Sequence, residues 1–195
     1  NSISSVGLND NGYAITWHEY LSGAEAVLSG RSHNTLFDVS TISTSDSEAT
    51  SVGRLTGGGF VVAWQSDDDI YGQYYDTASN KTGGEFLVNT YTNHQQSSPV
   101  VASSQDGGVV IAWISLQEDG SGAGIYAQYF DESGARLGSA FRVNTDTLGD
   151  QSFPGLTSEM ESRTGIVWKS GGGAKLQQFH RATTDQRGVI LGTDG

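Results

Sequence analysis

Acidic side chains concentrate in two loops of the sequence. Asp67, Asp68 and Asp69 stand in a row, and Glu118 and Asp119 precede the glycine-rich stretch GSGAG. Calcium binds many oxygen ligands at variable geometry, and carboxylates on a glycine-containing loop suit it. The pattern predicts a calcium site, with a solvated acidic turn as the alternative. Neither an EF-hand, which needs a later glutamate and flanking helices, nor a tandem GGxGxD nonapeptide is present.

Tyrosine and glutamine recur together in two equivalent segments. Tyr71 and Gln73 lie in IYGQYYD, Tyr126 and Gln128 lie in IYAQYFD, and Gln177 continues the series in KLQQFH. Alternate side chains of a strand share one face. Aromatic rings can stack on the C–H faces of a sugar while amides bind its hydroxyls, so these residues are candidate carbohydrate contacts. The alternative is a polar contact between sheets that recurs because the architecture recurs.

Other polar residues are placed to hold turns. Asp76 and Asp131 precede turn-rich stretches, where a carboxylate accepts hydrogen bonds from the following backbone. Asn89 and Asn144 occupy the same place in the segments FLVNT and FRVNT. We expect them to fix the following connection by local hydrogen bonds.

No known catalytic pattern is present. The sequence contains no GxSxG, HExxH or P-loop motif, and no spacing singles out two of its many acids as a glycosidase pair. His33 and His180 fall near equivalent places in the first and last repeats, which suits either metal ligands or surface histidines. We expect a chain that is not an enzyme and keep a glycan-active enzyme as the alternative.

An internal repeat must position these residues. Trp17, Trp64, Trp113 and Trp168 close the apolar segments YAITW, FVVAW, VVIAW and GIVW at intervals of about 50 residues. The sequence therefore divides into repeats at about 1–47, 48–96, 97–151 and 152–195, of which the outer two are degraded. Residues 1–195 then form a single domain.

Each repeat holds four short segments rich in Val, Ile, Phe, Tyr and Trp, which is the composition of β-strands. Turn signals such as TGGG and QDGG separate the first two segments. Repeated four-stranded units of this length are typical of propeller blades. We predict an all-β fold, with four four-stranded antiparallel sheets arranged as a β-propeller of four blades or as part of a larger ring. The recurring tryptophan is expected to pack between blades.

Composition limits the partners. The formal net charge of −12 disfavours nucleic acids and anionic membranes, and the absence of cysteine excludes disulfides and thiol chemistry. Residues 163–195 alone carry five basic and two acidic residues, so the last repeat is expected to dock on an acidic neighbour, either the first repeat or another chain. The chain begins at Asn1 and shows no signal peptide, and we expect a mature or excised piece of a longer protein.

The segments GGFVVAW, IYAQYFD and GGEFLVNT, with the loop QEDGSGAG, resemble a repeat of large secreted bacterial proteins, the RTX-type adhesins and hemolysin-type calcium-binding proteins. The similarity is strong over about 53–159 and weak at both ends. It implies a secreted or cell-surface module in adhesion, with a glycan or cell-surface polysaccharide as the partner. Calcium is the one candidate cofactor, and it rests on the acidic loops and not on the resemblance. A homodimer or neighbouring repeats of a longer chain are further partners. The alternative is a structural or spacer repeat stabilised by calcium.

Overall fold

A computed structural model describes residues 3–8, 12–21, 25–32, 35–39, 49–104, 106–158 and 163–180. These residues form strands in four antiparallel sheets, each of which follows the order of the chain. The first sheet consists of β1 (Ile3–Gly7), β2 (Tyr13–Leu21), β3 (Glu25–Ser32) and β4 (Thr35–Asp38). The second consists of β5 (Thr50–Arg54), β6 (Phe60–Ser66), β7 (Asp69–Tyr75) and β8 (Lys81–Leu87).

The third and fourth sheets continue the same arrangement. The third consists of β9 (Gln96–Ser103), β10 (Val109–Leu116), β11 (Ala123–Phe130) and β12 (Arg136–Arg142). The fourth consists of β13 (Gln151–Ser158), β14 (Arg163–Ser170) and β15 (Gly173–His180). The predicted all-β class and the four antiparallel sheets are confirmed. The fourth strand expected of the last repeat, in the segment GVILG of residues 181–195, lies outside the described residues. None of the described residues forms a helix that could cross a membrane.

The second strands of the second and third repeats, β6 and β10, are apolar because they are covered on both faces. Every residue of β6 is buried, and nearly every residue of β10 is buried as well. Strands that are buried on both faces read as continuous hydrophobic runs instead of alternating ones. The runs FVVAW and VVIAW therefore mark the centre of each sheet.

The sheets stack face to face in chain order. The first strand of each repeat contacts that of the next, so that β1 lies against β5, β5 against β9, and β9 against β13. Three hydrophobic cores fill the spaces between consecutive sheets. Side chains also cross between neighbouring sheets: Ser51 Oγ accepts a hydrogen bond from the Val101 amide at 3.1 Å, and Arg136 donates to the Leu87 carbonyl at 2.6 Å.

The prediction that the repeated tryptophan packs between sheets is confirmed. Trp64, Trp113 and Trp168 each lie in a different core, and each faces the sheet that precedes its own. The Trp113 indole nitrogen donates to Gln96 Oε1, and that of Trp168 donates to Gln151 Oε1, both at 3.1 Å. Each pairing ties the first strand of a repeat to its second strand through buried polar groups.

Candidate functional site

One end of the stacked sheets gathers the acidic loops. The β6–β7 and β10–β11 turns lie there, beside the connections that lead from one sheet to the next. The Gln96 amide donates to the Asp68 carbonyl at 2.7 Å, and the Ala123 amide donates to Asp150 Oδ1 at 3.1 Å. These bonds hold each acidic turn against the connection that follows its own sheet.

Two asparagines organise this end, as the sequence predicts. Asn89 Oδ1 accepts a hydrogen bond from the Ile70 amide at 2.8 Å, while its Nδ2 donates to the Tyr91 carbonyl at 2.8 Å. Asn144 repeats the pattern one sheet later, with the Ile125 amide at 2.8 Å. Each buried side chain joins the third strand to the outgoing connection, which confirms the predicted local hydrogen bonds.

Tyr71 lies beside two acids of the first loop. Its half-buried ring stacks on the ring of Trp64, with 6.3 Å between ring centroids. Burial raises the pKa of the Tyr71 hydroxyl, and the charges of Asp69 and then Asp67 raise this pKa further. A tyrosine ring with an aromatic neighbour and carboxylates nearby offers both an apolar face and hydrogen-bonding groups.

Tyr126 occupies the equivalent place in the third sheet. Burial raises the pKa of the Tyr126 hydroxyl to about 12, with further raising by Glu118 and Asp119 and an opposing effect of the Arg142 guanidinium. The Tyr91 hydroxyl, on the connection that enters this sheet, adds a smaller effect. The same combination of a tyrosine and loop carboxylates therefore recurs in two consecutive sheets.

The carboxylates beside Tyr126 have defined partners. Glu118 Oε2 accepts a hydrogen bond from Ser115 Oγ at 2.6 Å, and Asp119 Oδ1 accepts one from the Ser121 amide at 3.0 Å. Burial raises the pKa of Glu118, the Ser115 hydroxyl opposes that shift, and the Asp119 charge adds to it. Asp119 Oδ2 is buried and has no hydrogen-bond partner within the described part of the chain.

The structure does not bring the predicted calcium ligands into one cluster. Asp67 and Asp68 are exposed, and Asp69 Oδ1 accepts a hydrogen bond from Asn89 Nδ2 at 2.6 Å. Glu118 and Asp119 lie in the loop of the next sheet. Among residues 3–180 that the structure describes, no three acidic or histidine side chains converge in a metal-binding geometry. Calcium binding by these loops stays a prediction.

Sequence reasoning missed an aromatic pair on the connection between the second and third sheets. The rings of Tyr91 and His94 lie 6.1 Å apart, with Tyr91 half-buried and His94 exposed. The pair stands next to the Tyr126 site, which links it to the acidic loop of the third sheet. Nothing in the local segment YTNH signals the proximity of Tyr91 to Tyr126, because these two residues are distant in sequence.

Gln73 and Gln128 require a correction. Both side chains are almost fully buried, so neither amide faces a ligand. Gln73 Nε2 donates to the Tyr74 carbonyl at 2.9 Å and to the Thr82 carbonyl at 3.1 Å. The pairing of β7 with β8 has a bulge at this place, and the amide satisfies the carbonyls that the bulge leaves free.

Gln128 repeats this arrangement at the bulge between β11 and β12, where its Nε2 donates to the Tyr129 carbonyl at 2.8 Å. Gln177 occupies the corresponding place on β15, opposite Ile166, and is half-buried. Gln73 and Gln128 therefore belong to the architecture of the sheets, whereas a ligand contact at Gln177 stays a prediction. Of the two tyrosines, Tyr71 is half-buried and is the more accessible candidate ligand contact, while Tyr126 is 7% exposed and also lies in the core between the second and third sheets.

The opposite end of the sheets carries the predicted turn caps. Asp76 Oδ1 accepts hydrogen bonds from the Ala78 and Asn80 amides, and Asp131 Oδ1 accepts them from Ser133 and Ala135. The capping prediction is confirmed. Of the predicted histidine pair, His33 and the side chain of His180 lie outside the described residues.

A pH titration tests the environment of Tyr126. Because the folded pKa is raised from 10.0 to about 12, the folded protein holds this proton more tightly than the unfolded chain does. The resulting stabilisation is complete below pH 10 and is lost as the pH rises through about 12. The titration compares the tyrosine absorbance of the wild type with that of Tyr126→Phe. We expect the difference between the two, which is the ionisation of Tyr126, to develop near pH 12 in the folded protein. A difference signal already complete at pH 10 would contradict the placement of Tyr126.

The comparisons with known proteins bear on the fold. No protein-family profile matches the chain, and no curated protein matches it in sequence. A protein of unknown function from Dyadobacter fermentans has a similar structure, with a TM-score of 0.61 and 12% identity over 88% of this chain. The chain spans about half of that protein, since the match covers 50% of its length.

Two further solved structures are similar at low identity. The endo-arabinase from Bacteroides thetaiotaomicron has a TM-score of 0.54 and 12% identity, covering 98% of this chain and 81% of the enzyme. A fucose lectin from Kordia zhangzhouensis, solved with methyl-fucoside, has a TM-score of 0.43 and 11% identity, covering 74% of this chain and 99% of the lectin. The chain therefore shares its overall all-β arrangement with the Dyadobacter protein and the endo-arabinase.

Proposed function

We propose that this chain is a non-catalytic carbohydrate-binding module of a secreted bacterial adhesion protein. The observation that carries the proposal is the repeated combination of a tyrosine with loop carboxylates at one end of the second and third sheets. Tyr71 lies near Asp67 and Asp69, and Tyr126 lies near Glu118 and Asp119. Ring faces suit the apolar faces of sugars, and carboxylates accept hydrogen bonds from their hydroxyls.

The chemistry of the site favours a neutral or cation-bridged polyol over an anion. The net charge of −12 repels anionic ligands, and acids outnumber bases in both loops. Near Tyr126, Tyr91 and His94 extend the site with two aromatic rings that solvent reaches. Two equivalent sites on consecutive sheets would bind a polysaccharide more tightly than either alone, because the second contact is intramolecular.

We also propose that the four sheets are blades of a β-propeller-like ring. The support is that β1, β5, β9 and β13 lie side by side and that each sheet packs on the next through a hydrophobic core. In such a ring the two acidic loops, β6–β7 and β10–β11, lie at the same end. The bulge glutamines and turn-capping aspartates then have structural roles, as their hydrogen bonds indicate.

A glycan array on the purified chain tests the binding proposal, once in calcium and once in EDTA. We expect binding to a defined class of sugar and a loss of about tenfold in affinity for the double variant Tyr71→Phe/Tyr126→Phe, which removes two hydroxyls and keeps both rings. Tyr13→Phe is the matched control. Tyr13 is partly exposed, but it lies at the other end of the first sheet, where β1 and β2 are joined.

The outcomes separate the candidate functions. Binding that is lost in EDTA would place calcium in the loops with Asp67, Asp68, Asp69, Glu118 and Asp119. Binding that ignores EDTA would leave the aromatic rings and carboxylates as direct contacts. No binding in either condition by a folded sample would overturn the proposal and favour a structural repeat. Turnover of a bound glycan would overturn the non-catalytic assignment.

A further inference from the structure

The last sheet exposes a face that is covered in the sheets before it. Val167 lies directly before Trp168 and pairs with Leu176 on the neighbouring strand. The equivalent residues of the second and third sheets are Ala63 and Ala112, which also precede a tryptophan and are completely buried. Val167 is 41% exposed and Leu176 is 60% exposed. Within the described part of the chain, no sheet therefore packs on this face of the fourth sheet, whereas the equivalent face of the second and third sheets is covered.

This face is apolar beyond that single pair. Phe153 is 75% exposed, with the Lys169 ammonium 5.9 Å from the centre of its ring, and Gly155 and Ala174 lie in the same surface. Contiguous exposed apolar surface on a folded domain marks an interaction site. The equivalent surface of the third sheet packs on the fourth through the core that contains Ala112 and Trp168.

The first sheet exposes the complementary face. In the second to fourth sheets, the tryptophan-bearing face packs against the preceding sheet. Trp17 is the equivalent residue of the first sheet, which has no preceding sheet, and it is only half-buried. Its cross-strand partner Ile3 is 75% exposed, and Tyr13, on the same face, is exposed too. Hydrophobic side chains therefore line this face where a sheet would be expected to cover them.

We propose that these two faces are the halves of one interface, through which two copies of the chain join head to tail. The fourth sheet of each copy covers the tryptophan-bearing face of the first sheet of its partner. This repeats the contact that already exists three times within the chain. Because the two faces differ, the contact is heterologous. The ring closes when the fourth sheet of each copy contacts the first sheet of the other copy. Two copies then form one ring of eight repeats.

A second copy fits better than closure of the chain on itself. If the fourth sheet covered the first sheet of its own chain, Ile3 and Leu176 would be buried together, whereas both are exposed in the structure. Charge also favours the contact. Residues 163–180 contain three basic and no acidic residues, while residues 1–47 contain five acidic residues and one basic residue. Opposite net charges attract the last repeat of one copy to the first repeat of another. Dimer formation through these faces does not require sugar binding.

The test measures the mass of the purified chain in solution by light scattering and ultracentrifugation. We expect a particle with twice the 20.6 kDa mass of the chain. Leu176→Glu on the fourth sheet and Ile3→Glu on the first sheet should each give a monomer, because each blocks every contact that identical copies can make. Ala174→Glu is a second block on the fourth sheet, should Leu176→Glu prevent folding. The control is Leu148→Glu, an exposed leucine of a loop outside both faces, which should stay dimeric.

Mixing the two blocked variants makes the test specific for a head-to-tail contact. The Leu176→Glu protein retains its first-sheet face, and the Ile3→Glu protein retains its fourth-sheet face. An equimolar mixture should therefore regain one intact contact and a dimer, although neither variant dimerises alone. A monomeric wild-type chain, a dimer that survives both substitutions, or a mixture that stays monomeric would each overturn the proposal.

Discussion

Replacing Gly108 with alanine is expected to lower the free energy of unfolding by about 3 kcal/mol or more, because overpacking a rigid site forces the backbone to move. Gly108 precedes β10, in the turn that joins it to β9. A Cβ at this position would collide with the Phe130 carbonyl oxygen and would lie 2.9 Å from Asp131 Cα. Both contacts are with backbone atoms at the end of β11, so no side chain can turn away to make room.

Gly84→Ala is the matched control for this substitution. A Cβ at Gly84 meets no atom within 4 Å, and its backbone does not require a positive φ. We expect Gly84→Ala to change the stability by less than about 1 kcal/mol, in the stabilising direction, because alanine restricts the unfolded chain. Urea denaturation of both variants gives the comparison. If Gly108→Ala were as stable as the wild type, the backbone of this turn would be able to shift away from the added Cβ with little loss of unfolding free energy.

The same steric requirement explains why paired glycines directly precede the second strand in two repeats. Gly59 has a φ of 78° and is close to the Tyr75 carbonyl, as Gly108 is to the Phe130 carbonyl. In the second and third sheets, the turn before the second strand and the turn after the third strand meet at one end of the sheet, and only a residue without a side chain fits between them. The repeated GG of the sequence is therefore a packing requirement as much as a turn signal.

Local patterns predicted the elements that depend on local physics. Short runs rich in Val, Ile and aromatic residues became strands, and Asp76 and Asp131 became turn caps because the hydrogen bonds they make span only a few residues. Asn89 was predictable for the same reason, since it bonds the connection that immediately follows it. The interval between tryptophans gave the number of sheets.

The burial of the glutamines was not predictable from strand alternation. Alternation correctly places Tyr71 and Gln73 on one face of β7, because they pair with Trp64 and Val62, which share a core. It does not tell whether another sheet covers that face. The first sheet covers it around Gln73, whereas Tyr71 near the end of the strand stays partly open. The proximity of Tyr91 to Tyr126 was missed because Tyr91 lies on the connection between the second and third sheets, far from Tyr126 in sequence.

Replacing Gln128 with alanine is expected to destabilise the fold by about 3 kcal/mol, since a buried cavity and unpaired carbonyls both contribute. The Gln128 amide donates to the carbonyls of Tyr129, Leu137 and Gly138 at 2.8, 3.3 and 3.3 Å. These carbonyls flank the bulge between β11 and β12, where the regular ladder of hydrogen bonds is interrupted. Without the amide they are left without this buried donor.

A second substitution separates the two contributions. Gln128→Met keeps most of the side-chain volume and removes the donor, so we expect it to cost about 1–2 kcal/mol, less than alanine. Gln95→Ala, at an exposed glutamine, is the control and should change the stability by less than about 0.5 kcal/mol. If Gln128→Ala unfolds at the wild-type urea midpoint, the glutamine does not hold the bulge. If it also weakens sugar binding while the fold stays intact, the glutamine contacts the ligand after all, and the structural role assigned to it here is wrong.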